Sequence, residues 1–179
     1  MATLVQVVLL IAKTCCELLA ALLLMRFFMQ WFRAPFDGPV GHFVLALTNW
    51  LVLPLRRIVP PVRAFDTASL LAAYLSQVAL LALVAGLTFP AVGAQPLVVF
   101  VLLHGLSALA RLAIYLFIVL LVVQALLSWF NPYSPHRRLV DRLTDPLLRP
   151  LRRIIPPIAN IDLTPLVAIL AAQILLIFV

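Results

Sequence analysis

Four apolar runs divide the chain, at about Leu4–Phe32, Ala68–Phe89, Leu97–Phe130 and Leu163–Val179. A helix needs about 20 apolar residues to cross the hydrocarbon layer of a bilayer. Each run meets or nearly meets that length, and the fourth is the shortest. A water-soluble globule could not hide so much apolar surface behind the few polar residues left to cover it. Of the 179 residues, 65% are hydrophobic and 11% charged, and the mean hydropathy is +1.19. Soluble domains are about 45–50% apolar and about 25% charged. Soluble, disordered and collagen-like classes are excluded, and the chain reads as an integral membrane protein. The first run has no basic stretch before it and no small-residue cleavage site, so it reads as a retained span and not a signal peptide.

The chain also repeats itself. LRRIVPP at Leu55–Pro61 returns as LRRIIPP at Leu151–Pro157, an offset of 96. At the same offset Thr48 matches Thr144, Pro54 matches Pro150, Asp66 matches Asp162 and Gln77 matches Gln173. Upstream the offset is 98, pairing Trp31-Phe32 with Trp129-Phe130 and Lys13 with Arg111. So many landmarks in register mark an internal duplication.

The net charge of +7 would suggest nucleic acid in a soluble protein, but its distribution points to a membrane. One loop holds Arg33, Arg56, Arg57 and Arg63, the other Arg137, Arg138, Arg142, Arg149, Arg152 and Arg153. Met1–Val8, Thr88–Gln95 and the extreme C-terminus carry no Lys or Arg. The positive-inside rule then places both loops in the cytoplasm and both termini outside. Each copy reads as span, basic loop, span, so the two copies are expected to be parallel repeats.

Asn131-Pro132-Tyr133-Ser134-Pro135 is turn chemistry that stops the third helix after Trp129. Leu139, Leu143 and Leu147 then recur every four residues, flanked by arginines. That pattern suits an interfacial helix with arginines on lipid phosphates, although Pro146 and Pro150 predict short broken turns. The first loop repeats the idea with Phe43, Leu47, Leu51 and an interfacial Trp50. Thr164 before Pro165 reads as an N-cap. Asp162 and Asp66 stand near helix N-termini, where the dipole favours a carboxylate and a loop arginine can pair with it. A cation or partner site is the rival reading of these acids.

SWFNPYSP (Ser128–Pro135), LTDPLLRPLRRIIPP (Leu143–Pro157) and IDLTPLVA (Ile161–Ala168) resemble the signature of the YggT family. The match is stronger in the second copy; in the first, Phe36-Asp37-Gly38-Pro39 stands for the asparagine-proline turn and Asn49-Trp50 for Asp145-Pro146. Family members often carry arginine shortly before the SW pair; Arg26 fits and Gln124 departs. The resemblance implies two family repeats, residues 1–89 and 90–179, in a small bacterial plasma-membrane protein. It also implies links to osmotic or envelope stress, to cell-division neighbourhoods, and in photosynthetic relatives to maturation of a b-type cytochrome.

Catalytic motifs are missing: no GxSxG, HExxH, Walker A or Cys/His cluster at metal spacing occurs. Cys15 and Cys16 are adjacent, about 100° apart on a helix, and poorly placed to pair. His42, His104 and His136 are scattered; His104, beside Gly105, reads as an interface residue bonded to a neighbour more readily than as a ligand. Lys13 and Glu17 share a helix face. Lys13 lies 18 residues before Trp31, about 27 Å of helix, so Lys13 and Arg111 read as boundary residues snorkelling to headgroups. The third run, about 51 Å if straight, either breaks near His104-Gly105 or packs its outer part on another span or another copy. Gln77 and Gln173 are expected to bond between helices as packing glue, with pore lining as the alternative.

These residues predict an all-α membrane protein of four transmembrane helices in two span–loop–span repeats. The expected role is non-enzymatic, a scaffold or assembly factor without cofactor or metal. Its basic loops would meet anionic headgroups and a membrane-protein partner, with a second copy of the chain as a further candidate and nucleic acid excluded. The rival is a small channel or transport accessory in osmotic adjustment.

Overall fold

The computed structural model describes residues 2–60, 65–88, 94–130, 134, 137–154 and 162–179, with side chains at these positions except 2–5, 88 and 94–97. Most of the Asn131–Pro135 turn, the second PP pair, Arg63 and His136 lie outside the described residues. The described residues form six helices: α1 (Ala2–Trp31), α2 (Pro39–Ile58), α3 (Thr67–Thr88), α4 (Ala94–Phe130), α5 (Arg137–Arg152) and α6 (Thr164–Phe178). Three carry stretches long and apolar enough to cross a membrane: Gln6–Trp31, Thr67–Leu87 and Val98–Phe130. The fourth apolar run yields the 15-residue apolar helix α6, about 22 Å long and shorter than these three.

Contacts follow the duplication. Helices α1, α2 and α3 touch one another, α4, α5 and α6 do the same, and α4 joins the halves by packing on α1 and α3. The join is staggered. Phe28 meets Phe117 at a centroid distance of 4.7 Å, whereas its repeat equivalent is Leu126. The nine-residue difference corresponds to about 13 Å along a helix, so α1 and α4 meet out of register. The main core gathers Leu23, Leu24, Phe27, Phe28 and Met29 of α1 with Val44 and Val52 of α2, Ala72 and Ala73 of α3, and Leu139 and Leu143 of α5.

The long third run does not break at His104-Gly105. Helix α4 is continuous from 94 to 130, and its first half packs on α3. A Cβ on Gly105 would come within 2.9 Å of Val78, so glycine lets the two helices approach closely. The Tyr74 hydroxyl ties the contact by donating to the Leu102 carbonyl at 2.9 Å.

Helix α5 also corrects an expectation, because it is one 16-residue helix containing Pro146 and Pro150. Four residues apart, the two rings share a face, and both are exposed. Their lost amide bonds and ring contacts therefore fall on the outward side, and the packed side stays intact. That packed side holds Leu139, Val140, Leu143, Thr144 and Leu148, while Leu147 points outward. Helix α2 matches it with Gly41, Val44, Thr48 and Val52 inward and Phe43, Leu47 and Trp50 exposed. Each amphipathic helix thus presents its inner face to protein, not to headgroups.

Helix α1 stops in a Schellman arrangement. Ala34 N–H donates to the Met29 carbonyl and Arg33 N–H to that of Gln30, with Arg33 at φ 53° in the left-handed position that closes such ends.

Candidate functional site

Where α1, α2 and α3 meet, ionic and polar side chains cluster around a carboxylate closed off from solvent. Asp66, 0% exposed, immediately precedes α3. It receives Ser69 Oγ at 2.6 Å and Ser69 N at 3.4 Å, which caps the helix. Arg56 approaches from α2 with both a 2.7 Å and a 3.3 Å hydrogen bond to the two carboxylate oxygens, the strong fork geometry. Arg26, 3% exposed on α1, puts its Nε 3.6 Å from Asp66 Oδ2. Its Nη1 donates at 2.8 Å both to Thr48 Oγ1 and to Asn49 Oδ1. Gln30, one turn further along α1, accepts from Arg56 at 3.1 Å. Two guanidinium groups thus share one carboxylate, and the neutral oxygens of Thr48, Asn49 and Gln30 take up further donors, as burial of charge requires.

Burial alone would push the Asp66 carboxyl up. The Arg56 and Ser69 hydrogen bonds and the Arg56 charge outweigh it and hold the group below the usual carboxylate range.

The second copy repeats the frame with exchanged charges. Arg152 donates to Asp162 at 2.9 Å, as Arg56 does to Asp66 ten residues on. Asp145 replaces Asn49 and accepts from Arg152 at 3.1 Å and Arg149 at 3.4 Å. Gln124 replaces Arg26 and donates at 3.4 Å to Asp141, which also pairs with Arg137 at 3.3 Å. Thr144, like Thr48, turns its hydroxyl to the carbonyl one turn back. This site is wetter: the side chains of Arg152 and Asp162 are 38% and 25% exposed. Burial again pushes the Asp162 carboxyl up, and hydrogen bonds from Thr164 and Arg152 bring it below its usual range.

The residues singled out in the sequence divide accordingly. Arg56, Arg137, Arg149 and Arg152 pair with the protein's own acids, Arg149 while its side chain stays 71% exposed. Arg57, Arg138, Arg142 and Arg153 are exposed, with no ion pair among the described residues. Thr164 is not the N-cap; Leu163 holds that place. Thr164 instead donates its backbone N–H and hydroxyl to Asp162. Lys13 and Glu17 pair loosely at 3.8 Å, and Arg111 donates to the Val179 carbonyl at 2.9 Å. The glutamines do not form the expected helix-to-helix glue: Gln77 is buried with its Nε2 unbonded among the described residues, and Gln173 is exposed.

Arg26, noted in the sequence only as the family arginine, is here the cation at the centre of the cluster, and Thr48, Asn49, Gln30 and Ser69 join it without having been read as site residues. The signal for Arg26 was an arginine within an apolar run, one turn before Gln30. Chemically the cluster is a clamp: guanidinium and carboxylate groups satisfy one another and dock α2 on α1 and α3. Among the described residues, no three His, Cys, Asp or Glu side chains converge as a metal set would.

The comparisons agree with this duplicated frame. The CCB3/YggT family model matches residues 5–87 and 103–179, one segment over each copy. The uncharacterized YggT protein of Escherichia coli K12 is 35% identical over 160 residues, covering 88% of this chain and 81% of that protein. An uncharacterized Pseudomonas aeruginosa protein is 33% identical over 167 residues, covering 92% and 84%. An uncharacterized ycf19 protein of Guillardia theta is 36% identical over 70 residues, covering 37% of this chain and 75% of its own length. No solved structure matches. With the family model covering both copies, the chain belongs to the CCB3/YggT family.

Proposed function

We propose that the chain is a multi-pass protein of the bacterial inner membrane that acts as a non-enzymatic scaffold or assembly factor. In this reading α1, α3, α4 and α6 are four spans in two parallel units, α2 and α5 lie on the cytoplasmic side, and both termini are outside. Its service would be to envelope or osmotic stress, or to maturation of a membrane complex. One observation carries the reading. Arg56 and Arg152 pin α2 and α5 to the protein, while Arg57, Arg138, Arg142 and Arg153 stay exposed on those helices and just after α5. A basic face held on a fixed mount suits an acidic partner or anionic headgroups. The most buried ionisable groups, Arg26 and Asp66, are taken up within the cluster, Arg26 by Thr48 and Asn49 and Asp66 by Arg56 and Ser69, which favours a structural part over an ion path.

The test is purification of the tagged full-length protein, crosslinked in its own membrane, beside an Arg138→Gln/Arg142→Gln variant. The variant should fold and insert normally and lose the protein that accompanies the wild type. Reconstituted vesicles should show no ion flux; a flux that disappears on Glu17→Gln would install the channel reading instead. For orientation, cysteines replacing Gln95 and Ser134 in a Cys15/Cys16-free background should be labelled and protected, respectively, by an impermeant outside reagent. The reverse pattern would sink the topology.

A further inference from the structure

A second polar site lies away from the α2 and α5 end, where α1, α3 and α4 leave a cavity of about 450 Å³ between them. Three helix faces converge on it. Lys13 and Glu17 are one turn apart on α1, Gln77 and Leu81 one turn apart on α3, and His104, Ser107, Arg111 and Tyr115 follow each other along one face of α4. Elsewhere these helices expose leucine, valine and phenylalanine, as a lipid-facing surface does. Polar residues from three helices at one place therefore need an occupant or a mutual pairing, because a polar group facing hydrocarbon unpaired costs stability.

Mutual pairing is incomplete. Gln77 is 4% exposed, and its Nε2 has no hydrogen-bond partner among the described residues. Lys13 lies 3.8 Å from Glu17, beyond hydrogen-bond length. Arg111 commits one Nη2 bond to Val179 and keeps further N–H groups of its five-donor fork. His104 Nδ1 sits 2.9 Å from the Phe100 carbonyl, which fixes the ring and leaves Nε2 as the edge available to an occupant. The formal charge of Lys13, Arg111 and Glu17 together is net positive, and the unbonded buried atom is a donor. Leu81 and Leu112 supply apolar wall beside these donors.

We propose that this cavity is a binding site for a phosphate-class oxyanion, carried by the headgroup of an anionic phospholipid. Arg111 and Lys13 donate to the phosphate oxygens, and the Gln77 amide, unbonded and buried at the cavity wall, turns to donate to them as well. Glu17 and His104 accept from hydroxyl groups of the headgroup, and the apolar wall takes the start of its chains. The site is separate from the basic helices α2 and α5, and it does not depend on the scaffold role.

The experiment uses the full-length protein in detergent, with two probes: phosphatidylglycerol, followed by native mass spectrometry, and inorganic phosphate, followed by thermal shift. Phosphatidylglycerol should bind saturably at one site per chain. Arg111→Gln should weaken that binding at least tenfold. Gln77→Leu should weaken it at least threefold, yet melt no lower than wild type without probe, because it removes an unbonded buried donor. Arg138→Gln/Arg142→Gln should leave this site unchanged. Stabilisation by inorganic phosphate that Arg111→Gln abolishes would support the oxyanion site and assign it to the free anion; no response to phosphate would support the lipid source. Binding of both probes within twofold of wild type in Arg111→Gln and Gln77→Leu would overturn the proposal. A Gln77→Leu protein that binds normally and melts lower would overturn it as well, by making Gln77 a structural residue.

Discussion

Replacing Asp66 by asparagine should expose the difference between a buried and a screened ion pair. Asparagine keeps the size and can still cap α3, since it is as good an N-cap as aspartate. What disappears is the negative charge between two guanidinium groups, one of them, Arg26, almost wholly enclosed. Removing one partner of a buried pair costs about 3–5 kcal/mol, because the other charge stays buried without compensation. The repeat-related change Asp162→Asn removes the same chemical group from a pair that solvent reaches on both sides. Exposed pairs are worth about 0–1 kcal/mol, so this change should cost no more than about 1 kcal/mol.

The assay is unfolding of the purified protein in mixed micelles, driven by increasing dodecyl sulfate and read by helix signal and the fluorescence of Trp31, Trp50 and Trp129. Asp66→Asn should unfold at a clearly lower dodecyl sulfate fraction, and Asp162→Asn near wild type. Adding Arg26→Met to Asp66→Asn should restore part of the loss, since it deletes the charge left stranded; coupled neighbours show interaction energies of about 0.5–3 kcal/mol. Equal costs for the two aspartates, or no recovery in the double variant, would refute the reasoning.

Two further outcomes follow from the same geometry. Both aspartates sit below their usual carboxylate range, so their stabilisation is complete above the unfolded value of about 4 and is lost as pH falls through the folded values; melting should be flat in this respect from pH 5 to 8 and fall below about pH 4, less steeply in Asp66→Asn, and a fall that starts near pH 6 would contradict it. A Cβ on Gly41 would lie 2.3 Å from the Phe36 carbonyl oxygen, so Gly41→Ala should destabilise by about 1–3 kcal/mol, whereas Gly86→Ala, with open space around it, should gain up to about 1 kcal/mol; a denaturation series in which the two behave alike would remove the steric argument.

Apolar length alone located α1, α3, α4 and α6, because in a chain this hydrophobic the run is the helix. Offset identities located the duplication, and with it the equivalence of Asp66 and Asp162. The inward turn of Arg56 and Arg152 was harder to see. Each arginine meets an acid ten residues away across an irregular segment, and spacing fixes side-chain direction only within a continuous helix or strand. The row Leu139, Leu143, Leu147 misled for a related reason. Leu139 and Leu143 of that row are enclosed, but Val140, Thr144 and Leu148 pack inward beside them and Leu147 turns out, because packing against α4 and α6, not periodicity, sets the buried face. Prolines 146 and 150 predicted a break when read singly, but two prolines on one exposed face leave the buried ladder of α5 in place. The cavity around Gln77 was invisible because it needs the stagger of α4 against α1, a tertiary fact with no local signature.

The exchange between the copies explains why one junction is sealed and the other is not. In the first, the long helix brings a cation, Arg26, and the amphipathic helix answers with the neutral Asn49. Asp66 then has two cations to itself, and its full burial is tolerable because Ser69 and Arg56 donate to it and Arg26 Nη1 finds the uncharged oxygens of Thr48 and Asn49. In the second, the long helix brings the neutral Gln124, and the amphipathic helix carries Asp145 beside Arg149 and Arg152. Asp145 and Asp162 compete for Arg152, and without a cation from α4 neither carboxylate could be enclosed as Asp66 is. That junction keeps access to solvent, where each pair contributes little. Helix α5 is therefore held by packing and screened pairs, α2 by packing and a sealed ion cluster. Lifting α5 away must cost less electrostatically than lifting α2, and α5 is also the helix that presents Arg138 and Arg142 outward.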